Sequence, residues 1–261
     1  MPQRVKKSSG LADTSHDCRW LVPQWPAPAR VHALSTLRHG GVSHAPYASF
    51  NLAAHVGDDA GAVAANRERL INAAALPSMP CWLNQVHGTN VVAAHDVEAD
   101  TKADACYTNT GGSVCAVLTA DCLPLLICDR NGGTVCAIHA GWRGLAAGVI
   151  ESAITALGIS GRDVLAWLGP AIGAAAFEVG DEVRQQFLEN DNVAQGAFRP
   201  SPQGRWLADI YQLARLRLLR QGVEHVYGGE WCTYSDPERF YSYRRDGKTG
   251  RMGSMIWIQD V

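Results

Sequence analysis

Several features that would assign this chain to a class of protein are missing from its sequence. No apolar run approaches the roughly 20 residues of a membrane span, and the basic N-terminus lacks the apolar core of a signal peptide. Charged residues make up 18% of the chain, the net charge is −2, and no basic stripe or acidic tail is present. These absences predict a cytoplasmic protein that binds neither nucleic acid nor membranes.

No Cys-x-x-Cys pair occurs among the eight cysteines, which argues against zinc ribbons and thioredoxin-type redox motifs. Cys106, Cys115, Cys128 and Cys136 lie in or beside apolar runs typical of strands, where a free thiol behaves as a small buried hydrophobe. We therefore expect thiols rather than disulfides, as in a reducing compartment.

Internal repeats, linkers and low-complexity tracts are also missing, and 261 residues are enough for one large α/β domain. We predict a polar, disordered tail over residues 1–25 and a single catalytic domain over residues 26–261.

The strongest pattern that is present is centred on residues 119–144. It predicts strands over residues 114–118 and 123–128, a turn over 129–133 and a return strand over 134–138. A helix is predicted over residues 143–157. Cys122 falls in the break between the first two strands, and His139 falls at the junction of the return strand and the helix. These are places where α/β folds expose functional groups.

Elsewhere, strands and helices are predicted in alternation, which is typical of an α/β fold. Further strands are expected at residues 31–37, 91–94, 163–168 and 255–258. Helices are expected between Asp58 and Pro77, at residues 181–188 and at residues 207–221. The polar, proline-containing segment 190–205 is expected to be a surface loop.

Three side chains that can bind a metal follow separate strand-like runs: His87, Cys122 and His139. Two imidazoles and a thiolate would leave the fourth tetrahedral position of Zn²⁺ open, which is the catalytic rather than the structural pattern. Singly, each residue also fits a structural role, as a turn histidine, a buried cysteine or a packing histidine.

The same residues also allow a mechanism without a metal. Cys122 and His139 could act as nucleophile and base, with Asp121 or Asp104 orienting the histidine. Nearby polar side chains could bind an anionic or hydroxylated substrate, and arginine suits phosphate because its N–H groups form paired hydrogen bonds. These candidate substrate residues are Arg38, Asn51, Gln85, Arg143 and Arg244.

Several short motifs along the chain together resemble those of one protein family. They are NQVHG (84–88), ADA (103–105), TADCLP (119–124), HAGWRG (139–144), LGPAIG (168–173), FEVG (177–180) and YSYRRDGKTGR (241–251), with RHGGVS (38–43) and NLAAHVGDD (51–59) nearer the N-terminus. Together they are similar to the YfiH/YlmD family, also described as multicopper polyphenol oxidoreductases (laccases) and as purine nucleoside phosphorylases. The resemblance covers nearly everything from about residue 31 onward.

The resemblance implies zinc bound by His87, Cys122 and His139. It also implies a single-domain α/β (α+β) fold of layered mixed sheets flanked by helices, similar to the catalytic domain of cytotoxic necrotizing factor. The activities it implies are phosphorolysis of adenosine, inosine and methylthioadenosine, and deamination of adenosine. For deamination, Asp104 is our candidate for proton transfer, and for phosphorolysis, Arg38 or Arg143 is our candidate for placing phosphate beside C1′.

Three other functions stay open from the sequence. The same residues would serve a hydrolase of the cell-wall precursor UDP-MurNAc-L-Ser. Copper could occupy a site of two histidines and one cysteine. A polyphenol oxidase needs several redox centres, however, and the nine histidines include no His-x-His pair. A noncatalytic metal-binding module is disfavoured by the open coordination position and the surrounding polar residues.

Overall fold

A computed structural model describes residues 11–12, 20–189 and 191–259 of the chain. The strands of the described part are β1 (Leu11–Ala12), β2 (Trp20–Leu21), β3 (Val31–Thr36), β4 (Val91–Ala93), β5 (Ala105–Thr108), β6 (Val114–Thr119), β7 (Leu123–Asp129), β8 (Val135–Ala140), β9 (Val164–Leu168), β10 (Glu178–Val179), β11 (Phe198–Ser201), β12 (Arg205–Ala208), β13 (His225–Gly228) and β14 (Met252–Ile258). Its α-helices are α1 (Ala60–Ala73), α2 (Trp142–Ala147), α3 (Val149–Leu157), α4 (Asp181–Leu188), α5 (Ile210–Arg220) and α6 (Tyr243–Asp246).

The strands form three sheets, of which the largest is mixed and has the order β13-β9-β7-β8-β5-β4. Its middle strands β7 and β8 are antiparallel and buried along their whole length. Strands covered on both faces are continuously apolar, which is why these two are evident in the sequence. A second sheet has the order β1-β2-β3-β14-β6, and a small third sheet has the order β10-β12-β11.

The two large sheets pack face to face, and helices cover their outer faces. One face of the six-stranded sheet packs against α2, α3 and α5 through side chains such as Ile138, Ile150 and Leu218. Its other face packs against the second sheet, where Trp167 and Ile256 belong to one cluster. The outer face of the second sheet packs against α1 through residues such as Leu70. The predicted α/β fold of layered mixed sheets flanked by helices is therefore confirmed.

The predicted disordered tail falls mostly outside the described residues. Of its described part, Trp20–Leu21 pairs with Thr36 and Ser35 of β3, and both side chains are buried. These two residues therefore belong to the second sheet, because their apolar side chains extend its core.

Three predicted elements differ from the structure. The helix expected over 143–157 is divided into α2 and α3 at Gly148, whose φ of +101° breaks the helical hydrogen-bond ladder. The helix expected at 207–221 begins at Ile210, because the Asp209 side chain accepts a hydrogen bond from the Gln212 N–H and caps it. The segment expected to be a loop at 190–205 includes β11, which pairs with β12.

The cysteines of the described residues are all free thiols, as expected from the sequence, and those at 106, 115, 128 and 136 are buried. Cys18 lies outside the described residues. No helix among the residues described combines the length and the apolar character needed to cross a membrane.

Candidate metal centre

His87 is presented by a tight turn that a buried carboxylate holds in place. Asp104, just before β5, accepts hydrogen bonds from the backbone N–H groups of Val86, His87 and Gly88 at 3.3, 2.9 and 2.7 Å. His87 itself has a φ of +61°, in the left-handed region. The three hydrogen bonds stabilise a conformation that is otherwise unfavourable for a histidine.

Cys122 lies between β6 and β7, after a residue in the left-handed region. That residue is Asp121, with φ of +87°. Its carboxylate accepts hydrogen bonds from Thr233 Oγ1 at 2.6 Å, from Ser242 Oγ at 3.0 Å and from the Arg244 N–H at 2.6 Å. Asp121 therefore fastens the C-terminal part of the chain beside Cys122.

His139 lies inside β8 rather than beyond its end, and its partner in the register with β7 is Pro124. Its Nδ1 is 2.7 Å from Asp104 Oδ1, and both side chains are buried. Of the two carboxylates that could orient this histidine, the structure thus assigns Asp104. With Nδ1 engaged by the carboxylate, Nε2 is the nitrogen left to bind a ligand.

The three side chains converge although they are far apart in sequence. The candidate ligand atoms of His87, Cys122 and His139 all lie within 4.8 Å of one another. Cys122 Sγ is 3.8 Å from His87 Nε2, and the two imidazole rings meet edge to face with centroids 4.7 Å apart. This group could hold a metal ion, and a tetrahedral ion would keep one position open.

The electrostatics of the group favour a thiolate. Burial by itself would raise the pKa of Cys122, but the charge of His139 and hydrogen bonds from both histidines outweigh it and lower that pKa to about 6. Burial likewise opposes the charged form of His139, yet Cys122 and Asp104 raise its pKa to about 9. A thiolate is the form that binds metals and the form that attacks electrophiles, so the geometry fits both the metal centre and the nucleophile–base pair.

The two glycines of the HAGWRG motif, Gly141 and Gly144, lie against the candidate ligands and their supporting turn. A Cβ at Gly141 would lie 2.8 Å from His87 Cδ2 and 3.2 Å from Cys122 Sγ. A Cβ at Gly144 would lie 2.6 Å from the Gly88 carbonyl oxygen, which belongs to the turn that carries the first histidine. Both glycines therefore make room for the centre and for its supporting turn.

The centre opens into a cavity of about 620 Å³. Aromatic and charged side chains both line the cavity. The aromatic side chains are Trp142, Phe177 and Tyr243. The charged side chains, apart from Asp121 and the ligands, are Arg143, Arg205, Arg244, Arg251, Glu178 and Glu182. Such a mixture suits a ligand with both an aromatic and an anionic part.

Three of the substrate residues predicted from the sequence line this cavity. Arg143 lies over the Trp142 ring at 4.4 Å. Gln85 bonds through its side-chain amide to both backbone groups of Leu118, at 2.8 and 2.9 Å, and so ties the His87 segment to β6. Arg244 donates to the Glu178 carbonyl oxygen at 2.8 Å.

The structure does not bring the other predicted residues to the cavity. Arg38 donates to the carbonyl oxygens of Pro237 and Ala48, at 2.9 and 3.3 Å, and therefore braces loops. Asn51 is fully buried, and its amide is used by Ala53, Asp58 and the Arg251 N–H.

Asp104, predicted as a proton-transfer group, lies behind His139 and is fully buried, away from the cavity. Burial would raise its pKa, but the hydrogen bonds from His139 and the turn hold the pKa below its ordinary value. The structure therefore gives this carboxylate a positioning role.

Sequence reasoning did not single out several of the cavity residues, among them Arg251 and His55. Arg251 lies within the YSYRRDGKTGR motif, but the motif does not show which of its arginines reaches the cavity. His55 lies in NLAAHVGDD, far from the other site residues in sequence. In the sequence, the only indication that either residue belongs to the site is that each lies within one of the family motifs.

The fold and the site define a layered α/β protein with an open His-Cys-His centre in a mixed aromatic and cationic cavity. Residues 32–259 match the family described as multi-copper polyphenol oxidoreductase laccase. The chain belongs to this family, whose members include proteins named YfiH.

Relatives and solved structures agree with this assignment. The chain is 55% identical to the purine nucleoside phosphorylase PA4543 of Pseudomonas aeruginosa, over 92% of this chain and 99% of that one. It is 54% identical to the purine nucleoside phosphorylase YfiH of Escherichia coli K12, over 91% and 98%. The crystal structure of Neisseria meningitidis protein NMB0706 matches with a TM-score of 0.89 and 50% identity, over 92% and 99%. That of YlmD from Geobacillus stearothermophilus matches with a TM-score of 0.85 and 31% identity, over 97% and 100%.

Proposed function

We propose that this chain is a zinc-dependent purine nucleoside phosphorylase. The observation that carries the proposal is the open His-Cys-His group at the wall of a cavity that also holds aromatic rings and four arginines. The names of the relatives at 54–55% identity support the substrate class.

The residues fit Zn²⁺. His87, Cys122 and His139 supply nitrogen and sulfur donors, and Asp104 fixes the tautomer of one histidine as carboxylates do behind zinc ligands. Bound there, Zn²⁺ would act as a Lewis acid and lower the pKa of a water molecule. Among the described residues this is the only group of three or more such ligands, which argues against a centre with several coppers.

In phosphorolysis a phosphate oxygen forms a bond to C1′ of the ribose while the bond from C1′ to the purine nitrogen breaks. The electron pair of that bond leaves with the purine, which takes up a proton. In this chain the rings of Trp142 and Phe177, which line the cavity, would hold the purine by stacking. The arginines would hold phosphate and neutralise part of its charge, so that it lies close to C1′.

Deamination of adenosine is a second activity that the same centre supports, because an open metal position beside a cavity can activate water. Asp104 is too deeply buried to exchange a proton with a ligand in the cavity. Glu182 lines the cavity and is exposed, so we propose it as the group that transfers the proton.

The test is an assay of metal-quantified protein with adenosine and inosine, with and without phosphate, that follows ribose 1-phosphate, hypoxanthine, adenine and inosine. We expect ribose 1-phosphate only with phosphate, and its loss in Cys122→Ala. Release of inosine from adenosine without phosphate would show deamination. A zinc-loaded protein that turns over neither nucleoside would contradict the proposal, and UDP-MurNAc-L-Ser would be the next substrate to test.

A further inference from the structure

Arg251 brings a partly buried positive charge into the cavity wall without a negative partner. It lies directly before β14, and it lines both the main cavity and an adjoining recess of about 290 Å³. None of the ion pairs formed by the described residues includes it. Burial lowers the pKa of Arg251, so this charge is less well solvated by water than that of an exposed arginine.

The orientation of this guanidinium is already fixed. Its Nη1 donates to the carbonyl oxygens of Thr249 and Gly250, at 2.8 and 3.0 Å. Nε and Nη2 have no partner among the described residues, and these two nitrogens form the fork that binds two oxygens of a phosphate at once. The arginine is thus held in place on one side and open on the other.

A buried hydroxyl that lines the same cavity also lacks a partner. Thr119 lines the cavity and is only 2% exposed, and its Oγ1 makes no hydrogen bond to any described residue. In the register of β6 and β14 it pairs with Met252, the residue after Arg251. A buried hydroxyl without a partner is unfavourable, so a ligand oxygen here would satisfy it.

The other cations and the nearest carboxylate of the cavity are either engaged or solvated. Arg244 is exposed and donates to the Glu178 carbonyl oxygen. Asp121, whose charge acts on Arg251, has its oxygens occupied by Thr233, Ser242 and the Arg244 N–H. Arg205 is paired with Glu178 at 2.9 Å. Arg143 is exposed, so water already solvates its charge. Arg251 is therefore the cation of this cavity with the most to gain from an anion.

We propose that Arg251 and Thr119, with His55 beside them, form the subsite that binds the phosphate co-substrate. His55 lines the same cavity and the same recess, and its ring can add a hydrogen bond. The assignment rests on the proposed phosphorolysis, since it names the residues that hold the nucleophile. The Cys122 charge acts on Arg251, so this subsite adjoins the metal ligands.

The test compares Arg251→Gln and Arg251→Lys with wild type, and with Arg199→Gln, which removes an exposed positive charge on β11. For each protein the KM for phosphate, the KM for inosine, the zinc content and the melting temperature are measured. Phosphate binding without nucleoside is measured by calorimetry.

Arg251→Gln should raise the KM for phosphate about tenfold to a hundredfold, because a charge-assisted hydrogen bond is lost. The KM for inosine and the zinc content should stay within about twofold of wild type. Arg251→Lys should show a smaller increase, since it keeps the charge but not the fork. Arg199→Gln should behave as wild type.

An unchanged KM for phosphate in a folded, zinc-loaded Arg251→Gln protein would overturn the subsite and leave the phosphorylase proposal standing. If wild type shows no phosphorolysis, the calorimetric measurement of phosphate binding tests the subsite by itself. Phosphate binding that is lost in Arg251→Gln would support the anion subsite while the proposed reaction fails, and binding equal in both proteins would overturn the subsite as well.

Discussion

At the scale of the residue, Asp104 joins two of the candidate metal ligands. One carboxylate bonds the His139 ring and, through backbone N–H groups, fixes the turn that carries His87. An ADA motif alone shows only a carboxylate between small residues, so the sequence could not distinguish a proton-transfer group from a positioning group. Which of the two roles Asp104 has depends on how deeply its carboxylate is buried and which groups it contacts, and only the folded sheet defines these.

Replacing Asp104 with asparagine should weaken metal binding by about tenfold to a hundredfold, because outer carboxylates orient the ligands. Competition with a chelator of known affinity measures this. Asp129→Asn is a matched control: Asp129 accepts backbone hydrogen bonds from Asn131 and Thr134 at the opposite end of β7. It should lose stability and keep its metal affinity. Equal losses of affinity in both variants would contradict the positioning role.

Gly141→Ala should also weaken metal binding, because the added Cβ would lie 2.8 Å from His87 Cδ2 and displace the ligands. We expect at least about a tenfold loss of metal affinity with the melting temperature nearly unchanged in the metal-free protein. Gly133→Ala serves as the control, since its Cβ would meet nothing closer than 3.8 Å. Normal metal affinity in Gly141→Ala would show that the ligands adjust freely.

At the scale of the element, the predictable parts are those whose burial is uniform. β6, β7 and β8 are buried along their whole length and are apolar except at Thr119, Asp129 and His139, so their existence and order follow from the sequence. β11 was missed because it is short, mostly exposed and contains Pro200, which the sequence pattern assigns to a loop. The division of α2 from α3 was missed because a single glycine inside an apolar repeat does not by itself end a helix.

Replacing Gly148, the glycine between α2 and α3, should lower the stability of the protein measurably. Gly148→Ala forces an alanine to φ +101° and should lower the free energy of unfolding by about 1–3 kcal/mol. Gly158→Ala is the comparison, because its φ of +64° lies in the left-handed well and no atom lies within 4 Å of its Cβ. It should cost less, about 1 kcal/mol. Chemical denaturation measures both, and a smaller loss at position 148 than at 158 would argue against the break.

At the scale of the whole molecule, the candidate metal ligands come from three separate segments, so a bound ion should link them. Zn²⁺ added to metal-free protein at a free concentration of 100 times Kd should stabilise the fold by about 2.7 kcal/mol. Thermal unfolding with and without zinc measures the shift. Cys122→Ala should show little of it, and an equal shift in that variant would place the ion elsewhere.

The overall layering could be predicted from family motifs and alternating elements, whereas the composition of the cavity could not. Arg251 enters the wall only because β14 lies beside β6, and His55 only because the loop before α1 packs near the same edge. Such neighbours are far apart in sequence, and no local pattern reports a distance across a sheet.

The position of β14 has a consequence for how the protein is made. This strand, Met252–Ile258, is inserted between β3 and β6, and both of these are synthesised much earlier. On the ribosome, the candidate metal ligands emerge before β14, the strand that completes the second sheet and carries Arg251 to the cavity. The three candidate ligands are thus synthesised while the wall of the cavity is still unfinished. During synthesis the gap between β3 and β6 would leave apolar edges open, a target for chaperones until the last strand fills it.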